Sequence, residues 1–203
     1  VIKQIGKSLF IRDYDSVTAL GNFMQNATEQ LGTVTARAVD TDLITECAGT
    51  SLKSATAGAN AITATELNAG LQLFGDDVNT EDMAGIVVHS LLLSSLYAMP
   101  EFVDATKTYN VAQNGVVRNN FVGYFRGIPI FVSDRVFDSA KSECNTYIIK
   151  KNALAYMEKR AIEIEQQRDA NKGGTYVVSN LIYAVKRIDD AGIVMLKKTI
   201  AAA

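Results

Sequence analysis

Residues 13 to 48 read DYDSVTALGNFMQNATEQLGTVTARAVDTDLITECA, and how this run folds decides the rest of the chain. Val17, Leu20, Met24, Ala27, Leu31, Val34 and Ala38 recur at alternating steps of three and four, which places them in one stripe along a helix. Asp13-Tyr14-Asp15-Ser16 offers N-terminal caps, with carboxylates near the positive end of the helix dipole. The pattern continues less cleanly through Leu43, Ile44 and Cys47, and Gly49 supplies a stop. About 34 residues at ~1.5 Å each make a rod of ~50 Å, longer than a compact domain of 203 residues needs. Gly21 and Gly32 weaken it as an isolated coiled coil. The expected partner of the stripe is therefore a sheet.

Before this helix, KSLFIR (Lys7 to Arg12) reads as a short strand. After it, residues 50 to 63, TSLKSATAGANAIT, are small and polar and read as a loop or linker. Thr63-Ala64-Thr65-Glu66 matches a capping box, followed by a short helical face of Leu67, Leu71 and Phe74 that ends at Gly75. Asp76 to Asp82 forms an acidic turn. The next stretch, AGIVVHSLLL (Ala84 to Leu93), allows two readings. One is a single helix from Glu81 to Met99; the other is a strand from Gly85 to Val88 and then a helix capped by Ser90 and stopped by Pro100. The β-branched run Ile86-Val87-Val88 favours the strand, which places His89 at a strand-to-helix turn.

Residues 101 to 120 read as a polar loop. VGYFRGIPIFVS (Val122 to Ser133) is strand-rich with a turn near Arg126-Gly127, and Pro129 belongs at an edge or a strand start. Thr146 to Lys150 is a further strand, and Ala161 to Glu165 alternates isoleucine and glutamate on opposite faces. Asp169 to Gly174 is a mobile loop. Thr175 to Ile188 is a long strand, Asp189 to Gly192 a hairpin turn, and Ile193 to Lys198 returns beside it. No repeat of 20 to 50 residues is visible.

Composition excludes several functions. The chain is 48% hydrophobic and 21% charged, so it can bury a sizeable core. A net charge of -2 gives no general basic field for nucleic acid. No apolar run approaches the ~20 residues of a membrane span, and no secretory signal is visible. Residue 1 is Val, so the chain is expected to begin part-way into something larger. Cys47 and Cys144 read as reduced, inert thiols of a cytosolic setting. Asn26-Ala27-Thr28 is a glycosylation sequon in form only, since it falls within the helical pattern.

The chemistry-bearing residues lack partners. His89 is the single histidine and has no Cys or His at metal spacing, and no G-x-S-x-G elbow supports a triad. Gly6-Lys7-Ser8 resembles the end of a phosphate-binding loop, but Val1 stands where the motif needs Gly and a strand follows where it needs a helix. Asp189-Asp190 offers too few oxygens for a hard cation. Lys150, Lys151, Lys159 and Arg160 are interleaved with Glu158 and Glu163, which makes a solvated or interface face rather than a nucleic-acid groove. No catalytic, cofactor-binding or metal-binding residue is assigned, and no cofactor is expected.

The order of these pieces resembles the major capsid proteins of tailed bacteriophages, the Hong Kong ninety-seven fold shared with encapsulin shells. KSLFIR leading through Asp13 into a long helix resembles the descending arm of that family's extended loop entering its spine helix. AGIVVHSLLLSSL resembles its strand, turn and helix. GYFRGIPIFVSDRV resembles its G-x-P-V-type strand and polar loop. YIIKKNALAYMEKRAIEIEQQRD and then TYVVSNLIYAVKRIDDAGIVML resemble its closing strands. The resemblance implies an α+β fold: a long spine helix on a β-sheet plus an axial α/β lobe. It implies a peripheral-type lobe of residues 1-61 and 156-203, with the spine helix at about 15-48, and an axial-type lobe of residues 62-155.

The family's N-terminal arm and most of its extended loop have no counterpart before Val1. The loop that would carry a cross-linking Lys is among the missing parts, so no cross-linking residue is assigned. The function implied is that of a non-enzymatic subunit of an icosahedral phage or prophage capsid, self-assembling into pentamers and hexamers that enclose DNA without reading its sequence. The partners implied are copies of itself, with scaffolding, portal or decoration proteins, and no membrane. The location implied is the virion capsid, assembled in the bacterial host cytoplasm. An encapsulin-type compartment shell is the alternative, and a small hydrolase using carboxylates or His89 a more distant one.

Overall fold

In the computed structural model, which describes residues 1–18, 23–55, 61–103 and 120–199, the elements in chain order are β1 (Ile2–Arg12), α1 (Asp13–Thr18), α2 (Phe23–Ala48), β2 (Leu52–Ala55), α3 (Ala64–Gln72) and β3 (Met83–Val88). There follow α4 (Leu93–Tyr97), α5 (Pro100–Val103), β4 (Phe121–Phe125), β5 (Ile128–Val132), β6 (Phe137–Asp138), β7 (Glu143–Lys150), β8 (Leu154–Asp169), β9 (Gly174–Arg187) and β10 (Ile193–Thr199). The chain divides into two units. Val1–Leu43 and Ala155–Lys186 form the first; Ile44–Leu154 and Arg187–Ala203 form the second.

The first unit is a helix laid on a three-stranded sheet of order β1-β9-β8. β1 and β9 are antiparallel, from Ile2↔Ala184 to Arg12↔Gly174. Alternation puts Val177, Ser179, Leu181 and Tyr183 on one face of β9, and all four are buried. α2 covers that face: Ala27 and Leu31 pack with Ile11 and Val177, flanked by Met24 and Ile164. The stripe on α2 differs from the expected one. Val34 is 41% exposed and Val17, in α1, is 84% exposed, while Thr35 is 1% exposed. The buried line thus steps by four through Ala27, Leu31 and Thr35. Apolar periodicity misses this because Thr35 is polar. Its hydroxyl donates to the Leu31 carbonyl at 2.8 Å and lies 3.4 Å from Ser179 Oγ, so it enters the core satisfied. Leu20 and Gly21 lie outside the described residues, between α1 and α2.

Gly49 ends α2 by a different device from the one expected. Its φ is not among the positive values. A Cβ there would sit 2.7 Å from Arg187 Nη1, and that guanidinium donates to the Glu46 carbonyl at 3.1 Å. The helix end is capped by an arginine, and glycine leaves the space for it.

The second unit is a seven-stranded sheet of order β2-β10-β7-β3-β5-β4, with β6 paired to β7. Its topology corrects two expectations. Ile193 to Lys198 does not return beside the long strand: β10 pairs antiparallel with β7 and parallel with β2. The reason is that both edges of β9 are already taken, by β1 and β8. The run Ile193-Val194-Met195-Leu196 is also buried on both faces, as an interior strand requires. Val194 and Leu196 join the larger core with Ile86, Ile130 and Ile148; Ile193 and Met195 join a smaller one with Cys47 and Tyr147. Likewise the linker expected over residues 50 to 63 contains β2, which extends this sheet; residues 56–60 of it lie outside the described residues.

Local signals fare better here. Thr63 Oγ1 accepts from the Glu66 amide, and Glu66 Oε2 accepts from the Thr63 amide, closing the capping box. Leu67, Leu71 and Phe74 are buried beneath α3. Arg126 (φ 49) and Gly127 (φ 83) make the tight β4–β5 turn, since two left-handed residues match the twist of a hairpin. Pro129 lies in an interior strand, one residue ahead of the first β3 partner, Ile86↔Ile130, so its missing N–H costs no bond to β3. The helix after His89 is shorter than expected: a 3-10 turn at Ser90–Leu92, then α4. Pro100 opens α5 rather than closing a helix, as its fixed φ suits a first turn. Of the expected loop at 101 to 120, residues 101 to 103 belong to α5 and 104–119 lie outside the described residues.

The bounds of the units differ from those expected. Among the described residues, 44–55 and 187–199 group with the second unit, because β2 and β10 are strands of its sheet. Ile148, fully buried in β7, sits at the centre of that sheet. Ile148→Ala is expected to cost about 2–5 kcal/mol in urea unfolding, and Ile162→Ala, at a 44% exposed position, under about 1 kcal/mol.

Candidate functional site

His89 closes β3 and starts the following turn. Its Nδ1 accepts from the Leu91 amide at 3.1 Å, so the histidine itself is the N-cap, in place of Ser90. Nδ1 as acceptor puts the ring proton on Nε2, which lies 3.7 Å from Asp134 Oδ1. The Phe137 ring is 5.6 Å away, centroid to centroid, and His89 is 7% exposed. Burial pushes the imidazole below its ordinary pKa, and the Asp134 carboxylate offsets this only in part. Both nitrogens thus serve the local fold: His89 ties the β3 exit to the segment after β5.

Several other residues singled out in the sequence are likewise engaged. Asp189 Oδ1 accepts from the Ala191 amide at 3.0 Å, and Asp190 is paired with Arg187 Nε at 2.9 Å. Gly6, Lys7 and Ser8 lie within β1, paired with Asn180, Ser179 and Val178. Lys150 Nζ sits 4.7 Å from the Phe74 ring centroid, Lys151 donates to the Glu81 carbonyl at 2.6 Å, and Arg160 pairs with Glu163. Cys47 and Cys144 are buried and free, with thiols pushed by burial up to about 12 and about 11. Among the described residues no group of three or more His, Cys, Asp or Glu is placed to hold a metal ion, and no helix is long and apolar enough to cross a membrane.

What the fold presents instead is edges. Among the described residues β1 and β8 each pair only with β9. The eleven residues of β1 and the sixteen of β8 therefore each turn one row of backbone N–H and C=O groups outward. Tyr156, Met157 and Ile162 are large apolar residues exposed along β8, as are Ile2 and Leu9 along β1. Long open edges of this kind template pairing with another chain. The sequence signals these strands but not their edges, because edge status depends on sheet order.

A further group escaped sequence reading. Tyr183, fully buried, donates its hydroxyl to Asp42 Oδ2 at 2.6 Å, and Asp42 Oδ1 pairs with Lys3 Nζ at 2.9 Å. These residues lie in β9, α2 and β1, so one carboxylate ties three elements together.

A sequence model of the phage capsid protein family matches residues 4–196. No curated protein sequence matches significantly. Among solved structures, the chain is similar to the SrpI encapsulin from Synechococcus elongatus PCC 7942, with TM-score 0.70 at 11% identity, covering 100% of this chain and 77% of that one. The capsid of cyanophage P-SCSP1u gives TM-score 0.68 at 17% identity, with 98% and 72% covered. Gordonia phage Cozz gives 0.70 at 14% identity, with 100% and 71% covered.

The depressed pKa of His89 has a measurable consequence. Below an unfolded value of about 6.5 the unfolded chain binds a proton that the folded chain resists, so stability falls as pH drops from 6.5 to the folded pKa and then levels off. Denaturant midpoints between pH 7.5 and 5 should show that loss in the wild type. They should show a smaller one in His89→Asn, whose side-chain oxygen can still cap Leu91.

Proposed function

This chain belongs to the phage capsid protein family, and from that premise we propose how it tiles and what it encloses. It is a structural, non-enzymatic subunit of a virion capsid, with an α+β, Hong Kong ninety-seven-like fold. The hydrolase alternative is set aside by that membership. Copies associate into pentamers and hexamers that close an icosahedral shell around a DNA genome, assembled in the cytoplasm of the bacterial host. The shell holds DNA without reading its sequence, and a net charge of -2 suits a container that must not grip phosphate tightly. Scaffolding, portal or decoration proteins are the further partners this role calls for. In this reading the first unit serves as the peripheral-type lobe, with α2 as its spine helix, and the second as the axial-type lobe.

The observation that carries the reading is the family match over residues 4–196, which leaves only short ends unaccounted for. Ring assembly needs heterologous contacts, one patch on each copy meeting a different patch on the next. The encapsulin neighbour keeps a second reading in view, a compartment shell around a protein cargo. Negative-stain microscopy of the concentrated full-length gene product is expected to show rings or shells. A cargo protein co-purifying inside them would favour the compartment, and dispersed monomers at high concentration would count against both.

A further inference from the structure

We propose that His89 is a proton-operated latch: its neutral ring holds the segment Ser90 to Met99 on the sheet, and protonation loosens that segment ahead of the rest of the second unit. The inference goes beyond the capsid reading and does not depend on it.

The geometry sets the latch. Helix and turn starts are ordinarily capped by Ser, Thr, Asp or Asn, whose oxygens still accept near neutral pH and in mild acid. Here the cap is an imidazole nitrogen, Nδ1 of His89, which accepts from the Leu91 amide at 3.1 Å. A ring nitrogen accepts only while it carries no proton, and in the imidazolium both nitrogens are donors. Protonation thus replaces this bond by two N–H groups facing each other. The ring is 7% exposed and lies beside Phe137, so it would also carry its charge where water is scarce. Movement of the segment relieves both costs.

The strand ahead of the latch has no such weakness. The Ser133 amide donates to the Val88 carbonyl at 3.0 Å, and β3 is paired with β5 and β7. Behind the latch, the segment is held by the fully buried Leu92 and Leu96 and by Ser95 Oγ, which accepts from the Ile62 amide at 3.0 Å. Those contacts set how rarely the segment opens at neutral pH, and the proton on His89 changes that frequency.

Few charged groups face the ring. Asp134, in the 3-10 turn Asp134–Val136 after β5, is the charge that acts on His89, with Oδ1 3.7 Å from Nε2. Its carboxylate is itself held by the Ser90 hydroxyl and amide and by the Arg135 charge. It is exposed, so water screens it, and it offsets the cost of burying a charged ring only in part. From β6 the ring meets the uncharged Phe137. In β7 the Cys144 thiol, pushed up to about 11, stays protonated. His89 is the only histidine, hence the only side chain whose ordinary pKa lies between about 5 and 7.5.

The test is hydrogen exchange read by mass spectrometry on the full-length chain at pH 7.5 and pH 5, with rates corrected for the chemical exchange rate at each pH. Peptides covering Ser90 to Met99 should open between about threefold and about thirtyfold more often at pH 5, the upper limit being set by a free imidazole pKa of about 6.5. At pH 5 they should exchange ahead of peptides covering β7 and with little dependence on urea, the mark of a local opening. His89→Asn should remove most of the rise, because an amide oxygen accepts at either pH. A segment that exchanges only together with β7, with the same steep urea dependence, shows that acid loosens the unit as a whole and overturns the proposal. No rise in the wild type overturns it without recourse to any variant, and an undiminished rise in His89→Asn overturns it by assigning the effect to another group.

Discussion

A phenol buried under a helix constrains the first unit. Tyr183 has no exposure, and its hydroxyl has one partner at hand, Asp42 Oδ2 at 2.6 Å. A buried hydroxyl left without a partner costs about 1–3 kcal/mol, so α2 and β9 must keep the placement that joins these two groups. Burial pushes the Asp42 carboxyl up, but the bonds from Tyr183 and Lys3, with the Lys3 charge, more than offset it and hold it below its ordinary value. Burial and that same carboxylate push the Tyr183 phenol up, so the hydroxyl keeps its proton and remains the donor. Lys3 brings β1 into the arrangement. Sheet and helix are thus locked by a polar contact at one end and by Ala27, Leu31 and Val177 at the other.

The second unit obeys a different constraint. The four apolar residues Ile193 to Leu196 cannot be solvated on either face, so they take an interior position between β2 and β7. Helix α3 then covers one face, where Glu66 pairs with the buried Lys198 at 2.7 Å, and the last residues of α2 help to cover the other. Among the described residues both edges of β9 are taken, and β1 and β8 each pair only with β9.

The sequence disclosed what is local. The Thr63–Glu66 box, the turn at Arg126-Gly127 and the strand before His89 depend on residues within a few positions of one another. It concealed what is distant. Nothing near Ile193 says that its partners are residues 143 to 150 rather than β9. Nothing near Leu52 says that four residues of a polar stretch extend a sheet. Gly49 looks like a left-handed cap until Arg187, far along the chain, is seen to need the space. The same division holds for the candidate site. That His89 stands at a strand-to-helix turn could be read from the β-branched run before it. That β8 ends a sheet could not, because an edge is defined by which strand fails to arrive.

The central claim is that α2 and β9 form one cooperative body, held by Tyr183 and Asp42 above a shared apolar seam. Hydrogen exchange read by mass spectrometry tests it directly. Amides from Ala27 to Leu43 and from Val177 to Lys186 should lose protection together at one denaturant concentration, and Tyr183→Phe should lower that concentration for both segments equally. Exchange of the helix at low denaturant while β9 remains protected would contradict the account.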